Sequence, residues 1–176
     1  MPLSSDDLKT AATVVAVVIS FISLYFTRVN WLHSNRPVLS VWIAEHDSGY
    51  MSATFNLVVA NTGNRPAVNI RLHATQEQIS ALLEEGVSES RRSQIAQIFT
   101  SESEVPLLKN GDEVVTSFGA FVRADPQGPW LNYGASTQLL ITYKDLDGRS
   151  YHSKLPVRIY ARQGFGGSVW QAPTKA

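Results

Sequence analysis

The sequence predicts a mainly β protein: an antiparallel β-sandwich with a short helical insertion, preceded by one N-terminal transmembrane helix. Three observations predict it. An uncharged apolar run stands near the start, apolar and polar residues then alternate with period 2, and Gly/Pro/Asn-rich turns separate the alternating runs. The 176 residues suit one domain plus appendages. With 44% hydrophobic and 17% charged residues the chain has enough apolar surface to fold. Fifteen basic residues balance fifteen acidic ones, so no net field draws the chain to nucleic acid or to anionic surfaces. The absence of cysteine excludes disulfides, thiolate chemistry and Cys-based zinc sites.

Residues 1–9 read as a tail. Residues 10–27, TAATVVAVVISFISLYFT, carry no charge, Pro or Gly. As a helix they reach about 27 Å, close to a hydrocarbon core of about 30 Å. Val14, Val18, Phe21 and Ile22 would face lipid, and Tyr25 and Trp31 sit where an aromatic belt would lie. The residues before the run are not a basic signal-peptide region, and no small-residue cleavage site follows. The run is apolar all round, which a small domain could not cover as a core helix. Arg28, His33 and Arg36 flank its C-terminal side against Lys9 and the amino terminus on the other, which predicts the following domain on the cytoplasmic side. Residues 28–36 read as a juxtamembrane linker.

From residue 37 to 161 the pattern is that of strands. Leu39, Val41 and Ile43 alternate with Ser40, Trp42 and Ala44. Phe55, Leu57 and Val59 are expected inward, and likewise Val68, Ile70 and Leu72. Residues 112–121 and 137–144 follow. The second of these turns through Asp145-Leu146-Asp147-Gly148 into residues 151–160, a hairpin signal. Pro37 and Pro156 belong at a strand start, an edge or a bulge. Residues 75–100 break the pattern and predict two short amphipathic helices. Thr75 and Gln78 have capping-box spacing, Ile79, Leu82 and Leu83 form an apolar face, and Gly86 is the expected stop. Ile95, Ile98 and Phe99 repeat that spacing after Ser88. The apolar faces either cap an end of the sandwich or offer a surface to a partner. Residues 162–176 read as a C-terminal tail.

The run Asn61-Thr62-Gly63-Asn64-Arg65-Pro66 joins two strands. Gly and Asn tolerate positive φ and Pro fixes φ for the exit, so turn chemistry explains it without a ligand. Together with Ala67, Asn69 and Ile70, and with the later Tyr143, Asp145, Gly148 and Tyr151, this pattern resembles the Ig-like sandwich domains of bacterial surface and membrane proteins. The cell-adhesion-related CARDB type is the nearest. Trp31-x-x-Ser34-x-Arg36-Pro37 after one helix also resembles small bacterial membrane proteins of unassigned function. The resemblance spans Arg36 to about Tyr160, and the helical insertion departs from a minimal domain of that type. It implies interaction or assembly at a bacterial inner membrane, and it carries over no catalytic residue.

No G-x-S-x-G, H-E-x-x-H or P-loop is present. Asp145-Leu146-Asp147-Gly148 resembles the start of a calcium loop, but glycine is fourth rather than sixth and Pro156 stands at the twelfth position. Gly164-Phe165-Gly166-Gly167 opens no helix, so it lacks the phosphate-loop context. His33, His46, His73 and His152 are not spaced as metal pairs. No cofactor and no enzymatic activity is expected. The aromatic residues Trp42, Trp130, Tyr133 and Trp170 are the candidate partner contacts, although Trp130 would equally fold back over the sandwich end. The expected function is that of a membrane-anchored accessory protein whose partners are the lipid bilayer and another protein. The alternative is an extracytoplasmic glycan- or peptide-binding module using the Trp130/Tyr133 loop.

Overall fold

The computed structural model describes residues 5–48, 52–122 and 130–160. The chain divides into two units, Met1–Arg36 and Pro37–Ala176.

The first unit is one helix, α1 (Ser5–Ser34). It runs past the expected span, 10–27, at both ends, because nothing breaks a helix between Lys9 and Arg36. Its stop is local. The Asn35 backbone N–H and Nδ2 both donate to the Trp31 carbonyl, at 2.9 and 3.0 Å, and Pro37 disfavours helical backbone at Arg36. Thr10, Thr13, Ser20 and Thr27 hydroxyls donate to carbonyls four residues back, so these polar members of the run are satisfied within the helix. Residues 8–34 are long and apolar enough to cross a membrane, and no part of that stretch is buried by protein.

The second unit has two antiparallel sheets. β1 (Leu39–Ser48), β2 (Ser52–Asn61) and β5 (Glu113–Val122) form one, in the order β1-β2-β5. The other contains β3 (Ala67–His73), β4 (Val105–Leu108), β6 (Ser136–Lys144) and β7 (Ser150–Arg158), in the order β4-β3-β6-β7. The inner faces share one core. Leu39, Val41, Ile43, Phe55, Leu57 and Val59 come from the first sheet, and Ile70, Leu72, Leu139, Ile141, Tyr143 and Val157 from the second. Pro156 lies on an edge strand, where a missing donor costs little.

Two local expectations need correction, and one strand was not foreseen. Val68 is not a core residue. Asn69 sits at φ 53 within a register shift of β3, which turns Ala67 inward (0% exposed) and leaves Val68 on the other face. Gly86 does not end the first inserted helix. α2 (Gln76–Leu82) stops when Leu83 turns extended and bridges to Leu131, and Gly86, at φ +86, serves the following Glu84–Val87 turn. β4 was not legible, being four residues long and containing Pro106.

The helices are otherwise locally determined. Thr75 and Gln78 form the reciprocal capping box of α2, and Ser88 caps α3 (Glu89–Gln97). Ile79, Leu82, Leu83 and Ile95 are buried in the sandwich core, with Ile98 and Phe99 packed against it. The apolar faces are therefore mostly taken up in folding, with Ile98 and Phe99 half-buried and Ile98 also lining the cleft described below.

Candidate docking site

The two turn clusters of the sequence are structural. Asn61 is 1% exposed and all its side-chain polar atoms are used. Nδ2 donates to the Arg65 carbonyl at 2.7 Å and to the Leu108 carbonyl at 3.2 Å, and Oδ1 accepts from the Gly63 N–H at 3.0 Å. This one side chain shapes the β2–β3 turn and ties it to the end of β4. Asp145, also 1% exposed, plays the same part in the β6–β7 hairpin. Its Oδ1 accepts from the Asp147 and Arg149 N–H groups and its Oδ2 from the Tyr151 hydroxyl. Its lone pairs are committed to the turn, so the calcium-like spacing is that of a hairpin. Burial, and then the bond to Asp145, push the Tyr151 hydroxyl above its ordinary pKa. Tyr143 stacks on Tyr151 at 5.5 Å and donates to the Pro37 carbonyl. Arg65 bridges the two turns by its 2.7 Å ion pair with Asp147, and the bond to Arg65 holds the Asp147 carboxyl below its usual range. Among the described residues no group of three or more His, Asp or Glu side chains is placed to hold a metal.

The loop aromatics are packed, not presented. The Arg91 guanidinium lies 4.6 Å from the Trp130 ring centroid, and Trp130 packs on the core. Tyr133 stacks on Tyr160 at 6.1 Å and meets Phe121 at 6.2 Å. Backbone bonds stitch this segment down: the Trp130 N–H donates to the Ala120 carbonyl, and the Asn132 N–H to the Leu82 carbonyl. Both rings are half-buried, with these contacts holding them against the domain. Trp170 lies outside the described residues. Trp42 is 39% exposed on the outer face of the first sheet, where cross-strand register sets it beside Val58 and Val58 beside Val115. Within α1, Val14, Val18, Phe21, Ile22, Tyr25 and Trp31 are all exposed.

An opening that the sequence did not announce lies on the flank of the sandwich. β1 meets β7 on one flank. On the other, β5 is paired among the described residues on one side alone, by β2. The Trp130 segment covers its C-terminal half, and a bulge opposite Phe55 and Asn56 turns Phe118 into the core there. Beside its N-terminal half lies a cleft of about 460 Å³. Four consecutive residues, Val114, Val115, Thr116 and Ser117, line it. Successive side chains point to opposite faces, so the cleft runs along the edge of the strand itself. Its floor is core: Leu57 and Val59 from one sheet, Ile70 and Leu72 from the other. Gln94, Gln97, Ser103 and Glu104 supply a polar rim.

A family model described as Domain of unknown function (DUF8453) matches residues 8–161. The chain belongs to that family. No curated protein matches it. The DUF8453 match begins inside α1 and ends just beyond β7, so the family includes the apolar helix together with the sandwich. The described features of the DUF8453 sandwich are thus a set of closed turns, a packed aromatic loop, and one open strand edge over an apolar floor.

Proposed function

We propose that this chain is a non-enzymatic, membrane-anchored accessory protein whose Ig-like sandwich docks a partner protein by accepting an extended segment along the β5 edge. α1 would cross the membrane once, with the sandwich in the cytoplasm of a bacterial cell and the complex forming part of a larger inner-membrane assembly. The observation that carries the reading is the β5 cleft. An unpaired edge supplies backbone hydrogen-bonding groups, and the apolar floor supplies pockets for alternate side chains, which is what strand addition requires. Trp42 and Val115, exposed on the outer face on either side of the buried Val58, would add apolar contact beside that edge. Tethering raises the local concentration of the sandwich, so a short added strand suffices for useful occupancy. The charge balance around α1 supports the cytoplasmic side. The test is extraction of the full-length chain in mild detergent after crosslinking, in parallel with Val115→Lys, which puts a charge at the edge. The reading predicts a partner recovered with the wild type and lost with the variant, at unchanged thermal stability. Equal recovery, or recovery from neither, overturns it.

A further inference from the structure

The chain is neutral overall, yet its charge is not evenly spread. On the outer face of the β4-β3-β6-β7 sheet, register places side chains in rows. One row is Leu107, Val68, Lys144 and Ser150, the next Arg71, Thr142 and His152, and the next His73, Leu140 and Lys154, with Arg158 beyond them on β7. Arg71, Lys144, Lys154 and Arg158 are exposed there; Arg71 is paired with Glu104 at 2.6 Å, which leaves Lys144, Lys154 and Arg158 as the further cations of the face. A shallow depression of about 410 Å³ lies between Arg71, Lys144 and His152, with the Thr142 and Ser150 hydroxyls and the Glu104 carboxylate in its lining. Exposed apolar side chains stand at the border: Leu107 (49%) opposite Val68, and Leu146 (59%) at the tip of the β6–β7 hairpin.

Basic side chains with hydroxyl donors, edged by exposed leucines, are what an anionic lipid surface takes up: phosphates meet cations and hydroxyls, and leucines enter the headgroup boundary. The chain also brings a bilayer within reach, since β1 begins five residues after the last residue of α1, a segment long enough to span a membrane. We infer that this basic face is a lateral docking surface for anionic phospholipid headgroups, which would fix the sandwich against the membrane. The inference rests on α1 spanning a bilayer and is independent of the β5 cleft.

The chain has no cysteine, so a single label can be introduced. The full-length chain carrying Gln138→Cys, exposed on this face, is labelled and inserted into nanodiscs of phosphatidylcholine, with or without phosphatidylglycerol. Headgroup-borne quencher reports proximity. The expected result is quenching that appears with phosphatidylglycerol, is relieved by high salt, and falls in the pair Lys144→Glu and Lys154→Glu. The docked-to-undocked ratio of that pair should drop by at least about tenfold, with an unaltered unfolding midpoint. Equal quenching in neutral and anionic discs overturns the inference. So does a face that ignores lipid composition but is occupied by an added RNA oligonucleotide or acidic protein, which would assign it to another polyanion. Retention of the chain in the discs reports α1 separately, so loss of the anchor and loss of face docking are distinguishable.

Discussion

Replacing Asn61 by alanine should cost the sandwich about 3–4 kcal/mol. The figure comes from three side-chain bonds at roughly 1 kcal/mol net each, with an added penalty where the Leu108 carbonyl is left buried without that donor. In a domain of this size that lowers the unfolding midpoint by about 10 °C. Asn61→Asp is no rescue. It keeps the acceptor for the Gly63 N–H, but sets a carboxylate oxygen against the Arg65 and Leu108 carbonyls, so it should cost at least as much. The assay is thermal or denaturant unfolding of the full chain in detergent, followed by near-UV circular dichroism, which reports the sandwich. A loss under about 1 kcal/mol for Asn61→Ala would refute the assignment of this turn to a buried side-chain key. A variant of unchanged stability that failed to recover its partner would make the turn a binding loop instead.

Four other outcomes follow from the same contacts. Asp145→Ala should destabilise by about 2–3 kcal/mol while Asp145→Asn, which retains an acceptor for the two turn amides, costs less; calcium should shift the midpoint of neither wild type nor variant. Trp130→Ala should lower stability by about 2 kcal/mol or more, whereas Trp42→Ala should leave it nearly unchanged and weaken partner recovery, as measured by unfolding and crosslinking side by side. Because the folded-state pKa of Tyr151 is raised, its contribution is fully present below the ordinary tyrosine value of about 10 and is lost as pH rises through the folded value; Tyr151→Phe should flatten that alkaline limb in pH-dependent unfolding. A reporter active in the cytoplasm, fused after Ala176, should give signal, and its exclusively external counterpart none; the reverse would make extracytoplasmic ligand binding the reading to test.

Much of the fold was written in local sequence. The inward set Leu39, Val41 and Ile43 follows from period 2, and the α2 start from Thr75 and Gln78, because each depends on neighbours within a few residues. Val68 misled because alternation assumes unbroken pleating, and Asn69 in a left-handed conformation breaks it. Gly86 misled because Leu83 found a partner in Leu131, about fifty residues away in sequence and beyond any local rule. The candidate site was the least legible part. Nothing in Val114–Ser117 marks them as an edge; that depends on β5 joining β2 with no further strand among the described residues, which is a property of sheet order. Trp130 and Tyr133 drew notice as aromatic loop residues, but composition does not say that Arg91 and Tyr160 cover their rings.

The most direct test of strand addition is site-specific photocrosslinking in native membranes, with the probe placed in turn at Val115, Thr116 and Lys154. The account predicts one shared adduct from Val115 and Thr116, absent from Lys154 on the opposite sheet, with the crosslinked peptide mapping to an extended segment of the partner. Adducts of equal yield from all three positions, or from Lys154 alone, would contradict it.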